Sequence, residues 1–174
     1  YLRSVAAKAA EAALGPLVAW LLERGPGVAD VIEVLSERAE ELRGAGGVAV
    51  RHLVAHYPGD PGIAIATLLN TVVLKPGEAL YLPAGNLHAY LYGTGLELMA
   101  PSDNVLRGGL TEKHVDVPEL LAVLDARPLP VPLLAPEEIA PGLFEFAPSG
   151  SGLRLVIADT AAVRRGLDVG LAGA

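Results

Sequence analysis

Between residues 28 and 42 apolar side chains recur at three- and four-residue steps: Val28, Val31, Ile32, Leu35, Ala39 and Leu42. Glu33, Glu37, Arg38, Glu40, Glu41 and Arg43 lie between and beside them. A helical turn gathers such apolar positions onto one stripe, so the pattern predicts an amphipathic helix with a charged outer face. Pro26 stands where a first turn can begin and Gly44 where a helix can stop. Residues 2 to about 57 read as helical overall, with Arg51–Tyr57 as a further short helix ended by Pro58-Gly59-Asp60-Pro61. From about residue 68 the period changes. Short apolar runs appear at Leu68–Leu74, Glu78–Leu82, His88–Tyr92, Leu96–Met99 and Val105–Leu110. Pro76-Gly77, Pro83-Ala84-Gly85-Asn86, Gly93-Thr94-Gly95 and Ser102-Asp103-Asn104 supply turns between them. Closely spaced short strands with such punctuation suggest a sandwich or barrel. Pro118–Leu124 reads as a short helix, Arg127–Pro141 as an extended Pro-rich segment, and Leu143–Phe146 and Leu153–Ile157 as two further strands. Gly166–Ala174 reads as a frayed tail.

Composition narrows the function classes. The chain has 174 residues, with 13 Lys and Arg against 20 Asp and Glu, for a net charge of −7. Clustered cations are what nucleic acids and anionic membranes require, so neither is the expected partner. No cysteine is present, which excludes disulfides, thiolate metal sites and a cysteine nucleophile. It is also compatible with the cytosol. The apolar stretch Val5–Leu22 contains Lys8 and Glu11 and is interrupted by Gly15-Pro16, so it predicts neither a membrane span nor a signal peptide. The first residue is Tyr1 rather than Met, which fits a piece of a longer chain.

The candidate chemistry lies in the strand region. Gly77 is followed by five residues, then Pro83-Ala84-Gly85, two residues and His88. This spacing resembles the second signature of the cupin superfamily. The glycine and Pro-x-Gly turn the chain tightly at both ends of one strand, and His88 then opens the next. A neutral imidazole there is a good ligand for a borderline divalent metal, and a structural histidine is the plain alternative. Strand alternation places His88, Tyr90 and Tyr92 on one face and Ala89 and Leu91 on the other. Arg107, between Leu106 and Gly108, needs a buried partner or a ligand for its guanidinium. A rim ion pair with Asp103 or Glu97 is its other reading. Glu97, between Leu96 and Leu98, faces opposite to both, and from an inward position it could move a proton. Lys113 follows Thr111-Glu112 in a loop, where an ammonium can reach a phosphate or simply be solvated. Asp103 and Asn104 suit a turn, His114 an exposed position, and His52 and His56, four apart, one face of a helix.

Residues 58–125 carry a more specific likeness. Pro76-Gly77-Glu78-Ala79, Pro83-Ala84-Gly85-Asn86-Leu87-His88-Ala89-Tyr90, the run from Ser102 to Thr111 and the run from Lys113 to Leu120 resemble type I mannose-6-phosphate isomerases, also called phosphomannose isomerases. The resemblance implies a zinc-dependent enzyme that interconverts mannose 6-phosphate and fructose 6-phosphate through an enediolate. It places His88 on the C-terminal zinc ligand, Arg107 on the catalytic arginine and Lys113 on a lysine of the phosphosugar site. Glu97 falls on an acidic residue near the metal, considered for proton transfer. The remaining zinc ligands of the family, a Gln, a His and a Glu, are expected before Tyr1. Glu112 stands where the family commonly has Pro, and Tyr92 where the cupin signature ends in a polar residue.

The expected architecture is therefore mixed α and β: a helical segment over residues 1–60, an incomplete cupin-type jelly-roll barrel over 61–126, and a Pro-rich linker with the start of a β segment over 127–174. The expected partner is a small sugar phosphate, without nucleic acid or membrane, and the expected state is a cytoplasmic monomer. With one histidine ligand, residues 1–174 alone are expected to bind zinc weakly and not to turn over. A non-catalytic or diverged cupin that binds a sugar phosphate is the alternative.

Overall fold

The computed structural model describes residues 2–102, 105–164 and 166, and for residues 2–11 the backbone alone. The chain divides into two compact units, the first made of residues 1–73, 82–94 and 103–131 and the second of 74–81, 95–102 and 132–174.

The first unit is built on helices. Helix α1 (Leu2–Leu22) runs through Pro16, which contributes no N–H to the helical ladder. Helix α2 (Val28–Glu37) buries Val28 and Ile32, one turn apart, and leaves Val31 and Val34 exposed. The predicted stripe is thus narrower than its apolar residues. The helix does not run on to Gly44: after Glu37 the chain tightens into a 3-10 turn, Ala39–Glu41. Gly44, at φ +71°, opens helix α3 (Gly44–His56) instead of ending α2. Arg51 ties the two together by donating from Nη1 to the carbonyls of Ala39 and Leu42, at 3.1 and 3.0 Å. The predicted helix at 51–57 is thus the end of a longer one.

Helix α4 (Gly62–Ala66) and helix α5 (Val117–Val123) complete the unit. Asp116 caps α5 by accepting the Glu119 N–H at 3.1 Å. Val18, Leu21, Val28, Ile32, Val50, Leu53, Ile63, Ile65 and Leu120 meet in one core. Leu53, Ile63 and Val28 are its most deeply buried large side chains. Among the described residues no helix is long and apolar enough to cross a membrane.

The second unit holds two small antiparallel sheets. Strand β1 (Ala79–Leu80) pairs with β2 (Leu133–Leu134), Ala79 opposite Leu134. Strands β3 (Glu137–Ala140), β4 (Leu143–Phe146) and β5 (Leu155–Ala158) pair in that order. Gly142, at φ +76°, makes the β3–β4 turn. Arg154 pairs with Glu145 on β4. A short helix α6 (Thr160–Arg164) follows, with Asp159 Oδ1 accepting the Ala162 N–H.

The jelly-roll expectation is met only in its coarse form. The described residues are mixed α and β, but they contain no closed barrel. The runs 68–74, 88–92, 96–99 and 105–110 carry no ladder in the described residues, and only the 79–80 part of the 78–82 run is paired. Alternating apolar residues and turn glycines dictate an extended backbone. A strand needs in addition a neighbour that accepts and donates along its edge. The predicted tail at 166–174 lies outside the described residues apart from Gly166.

Candidate functional site

His88, Arg107 and Lys113 all belong to the first unit, and Glu97 to the second. The turn before His88 is set by Gly85, at φ +84°. A methyl group there would lie 2.7 Å from the Val123 carbonyl oxygen, a contact no Cβ can make. Gly85 accepts the Asp125 N–H at 2.9 Å, so the chain beyond α5 holds the turn in place. Leu87 and Leu91 pack on the helical core while His88, Ala89, Tyr90 and Tyr92 are exposed, so the expected alternation is met in part.

His88 Nδ1 lies 3.0 Å from the Asn86 carbonyl oxygen. A carbonyl oxygen can only accept, so Nδ1 donates here and Nε2 is the nitrogen left to face a ligand. Tyr90 meets the ring edge-on at 5.9 Å between centroids. Asn86 Nδ2 is buried with no hydrogen-bond partner among the described residues.

Arg107 is exposed between Leu106, which packs on the core, and half-buried Gly108. Among the described residues no carboxylate forms an ion pair with it. A methyl group on Gly108 would lie 2.5 Å from Leu87 Cδ1, so the two extended segments touch at this pair. The residues that flank the contact are His88 and Arg107. Lys113 is exposed, and its N–H donates to Thr111 Oγ1 at 3.1 Å. Glu97 is exposed between Leu96 and Leu98, which are exposed as well. Asp103 and Asn104, expected in a turn, lie outside the described residues.

A cleft of about 350 Å³ opens beside the Lys113 loop, lined by Arg24, His56, Tyr57, Asp60, Thr111 and Glu112 among others. His52 and His56 share one face of α3 and stack with centroids 4.1 Å apart, His56 Nδ1 donating to the His52 carbonyl at 2.7 Å. Two contributors escaped the sequence reading. Asp60 Oδ1 accepts the Gly62 N–H at 2.7 Å, and Thr111 shapes the Lys113 turn. Short Asx- and Thr-capped turns are their only local signal.

One metal-ligand candidate is short of the three or four donors zinc takes. Among the described residues no three His, Asp or Glu side chains converge as a metal site, and the orphaned Asn86 Nδ2 is a donor, not a ligand. The described residues offer zinc one candidate ligand, His88, and no complete site. What they present is an exposed imidazole, an exposed guanidinium and an exposed ammonium within one compact unit.

Comparison with known proteins gives these residues a context. No protein-family model matches the chain. It is 43% identical over 118 residues to mannose-6-phosphate isomerase of Salmonella typhimurium, a match covering 67% of this chain and 30% of that protein. It is 48% identical over 104 residues to a probable mannose-6-phosphate isomerase of Dictyostelium discoideum, covering 60% of this chain and 23% of the relative. The solved apo structure of the Salmonella typhimurium isomerase superposes on 79% of this chain and 36% of that one, with TM-score 0.71 and 39% identity. The chain is thus related in sequence and fold to mannose-6-phosphate isomerases, and spans about a quarter to a third of the length of the relatives it matches.

Proposed function

We propose that the protein carrying this chain is a mannose-6-phosphate isomerase, interconverting mannose 6-phosphate and fructose 6-phosphate. The observation that carries the reading is the 43% identity to the Salmonella typhimurium enzyme over 67% of this chain. The candidate residues suit the chemistry. Aldose–ketose isomerisation takes a proton from the second carbon and returns one to the first, through an enediolate whose oxygens gather negative charge. A guanidinium keeps its charge at any working pH and offers several donors, so Arg107 would stabilise that charge as it develops. Lys113 would hold the phosphate as a point charge, supplying binding energy away from the reacting carbons. The resemblance offers Glu97 for proton transfer, a role that needs an inward position; its side chain is exposed, so no proton step is assigned to it.

Zinc, when bound, polarises carbonyl and hydroxyl oxygens as a Lewis acid. In this reading His88 would give it one ligand through Nε2 and the others would come from outside residues 1–174. Charge stabilisation and phosphate binding would belong to Arg107 and Lys113.

The test is a coupled assay of mannose 6-phosphate isomerisation on the whole protein, with Arg107→Ala and Lys113→Met beside it. The expected result is turnover that a chelator abolishes, a loss of about 10²–10³ in kcat for Arg107→Ala, and chiefly a raised KM for Lys113→Met. No turnover with sugar-phosphate binding retained would identify a diverged binder instead.

A further inference from the structure

Arg107 and Lys113 bracket a stretch whose backbone is unusual. Gly109 has φ +102° and Leu110 has φ +54°, a region L side chains avoid, so contacts outside the stretch must hold it there. Leu106 and Leu110 pack on the helical core. Asp60 and Gly62 oppose the stretch between them. A methyl group on Gly109 would lie 2.9 Å from Asp60 Oδ1 and 3.4 Å from Gly62 N, and one on Gly62 would lie 2.6 Å from Leu110 Cδ2. The two glycines therefore bring two backbones together, with the Asp60 carboxylate at the contact and its Oδ1 accepting the Gly62 N–H at 2.7 Å. Arg24 Nη1 braces the same turn by donating to the Gly59 carbonyl at 3.1 Å. All of these residues lie in the first unit.

We infer that Asp60 and Gly109 form a clasp that positions Arg107 and Lys113 for the sugar phosphate. What the two cations bind rests on the isomerase reading; the clasp itself does not. The oxygen of Asp60 acts as an acceptor fixing the 60–62 turn, and Gly109 docks on that turn because it lacks a Cβ. The left-handed turn at Leu110 follows, and with it the relative placement of the guanidinium and the ammonium at its two ends. Asn at position 60 keeps an Oδ1 acceptor, and Ala does not.

The experiment uses the whole protein with Asp60→Ala, Asp60→Asn and Gly109→Ala. Three quantities are measured: kcat and KM for mannose 6-phosphate, melting temperature, and amide exchange across residues 106–113. Asp60→Ala and Gly109→Ala are expected to lower kcat/KM by about tenfold or more, since small misplacements of binding groups are costly. They are also expected to quicken exchange across the stretch, and Asp60→Asn to restore both. Unchanged exchange in Asp60→Ala overturns the clasp, and so does an Asp60→Asn as damaged as Asp60→Ala. A lowered melting temperature with kcat and KM unmoved makes Asp60 structural only, and overturns it too. If the wild-type protein does not isomerise mannose 6-phosphate, the isomerase reading fails, and the exchange data still decide the clasp.

Discussion

Leu53 and Ile63, in the helical core, are 1% and 0% exposed, whereas Tyr90 and Tyr92, in the run that carries His88, are 73% and 72% exposed. The helices close their own backbone hydrogen bonds and need only one buried face each. The run from Gly85 to Lys113 closes few of its own among the described residues. It is held at scattered points: Gly85 against Val123, Gly108 against Leu87, Gly109 against Asp60. Stability is concentrated in the first region, and the candidate chemistry in side chains the second leaves open to ligand. Substitutions in the two regions should therefore separate folding from activity.

The largest effect on folding is expected in the core. Leu53→Ala should cost about 3 kcal/mol, read as a lower midpoint in urea unfolding. A cost under about 1 kcal/mol would mean the helices are not the stable part, and the contrast would collapse. Arg107→Ala is the converse. Its side chain is exposed, so the unfolding midpoint should stay within about 0.5 kcal/mol of wild type while turnover falls. A destabilisation rivalling that of Leu53→Ala would show that the guanidinium is part of the fold.

Asp116→Ala removes the cap of α5, the helix that buries Leu120 behind the 106–110 stretch. The expected loss is about 1 kcal/mol, measured by thermal unfolding, with KM unchanged if the cap serves the core alone. The smallest effect lies at Asp125, whose carboxyl is lowered from 3.8 to about 2, chiefly by the side-chain hydrogen bonds from Arg127 and then by the Arg127 backbone N–H. A carboxyl lowered on folding adds stability above its ordinary pKa, and that contribution is lost as pH falls through about 2. Arg127→Met should move the Asp125 titration back toward 3.8, followed by carboxyl NMR shifts, with little change in stability because solvent screens the pair.

Parts of this molecule can be read within a few residues of sequence. The start of α2 after Pro26, the short helix around Pro118, and the hairpin strand Leu143–Phe146 all follow from neighbours along the chain. So does the turn at Gly85. The likeness to mannose-6-phosphate isomerases was also legible there, because it rests on runs of residue identity. The candidate residues His88, Arg107, Lys113 and Glu97 were named from those runs, and their roles stay proposals.

Other features were decided only by the tertiary structure. Gly44 suits a helix end and a helix start equally, and Arg51, reaching back to the Ala39 and Leu42 carbonyls, marks the start. Pro16 stays helical within a segment that packs on α4 and α5. The runs at 88–92, 96–99 and 105–110 find no ladder among the described residues, because pairing depends on a partner strand that local pattern does not encode. The Asp60–Gly109 contact joins residues almost fifty positions apart. Local propensity acts through the nearest few residues, whereas a clasp or a ladder requires two distant backbones to meet, and only the folded chain settles which ones do.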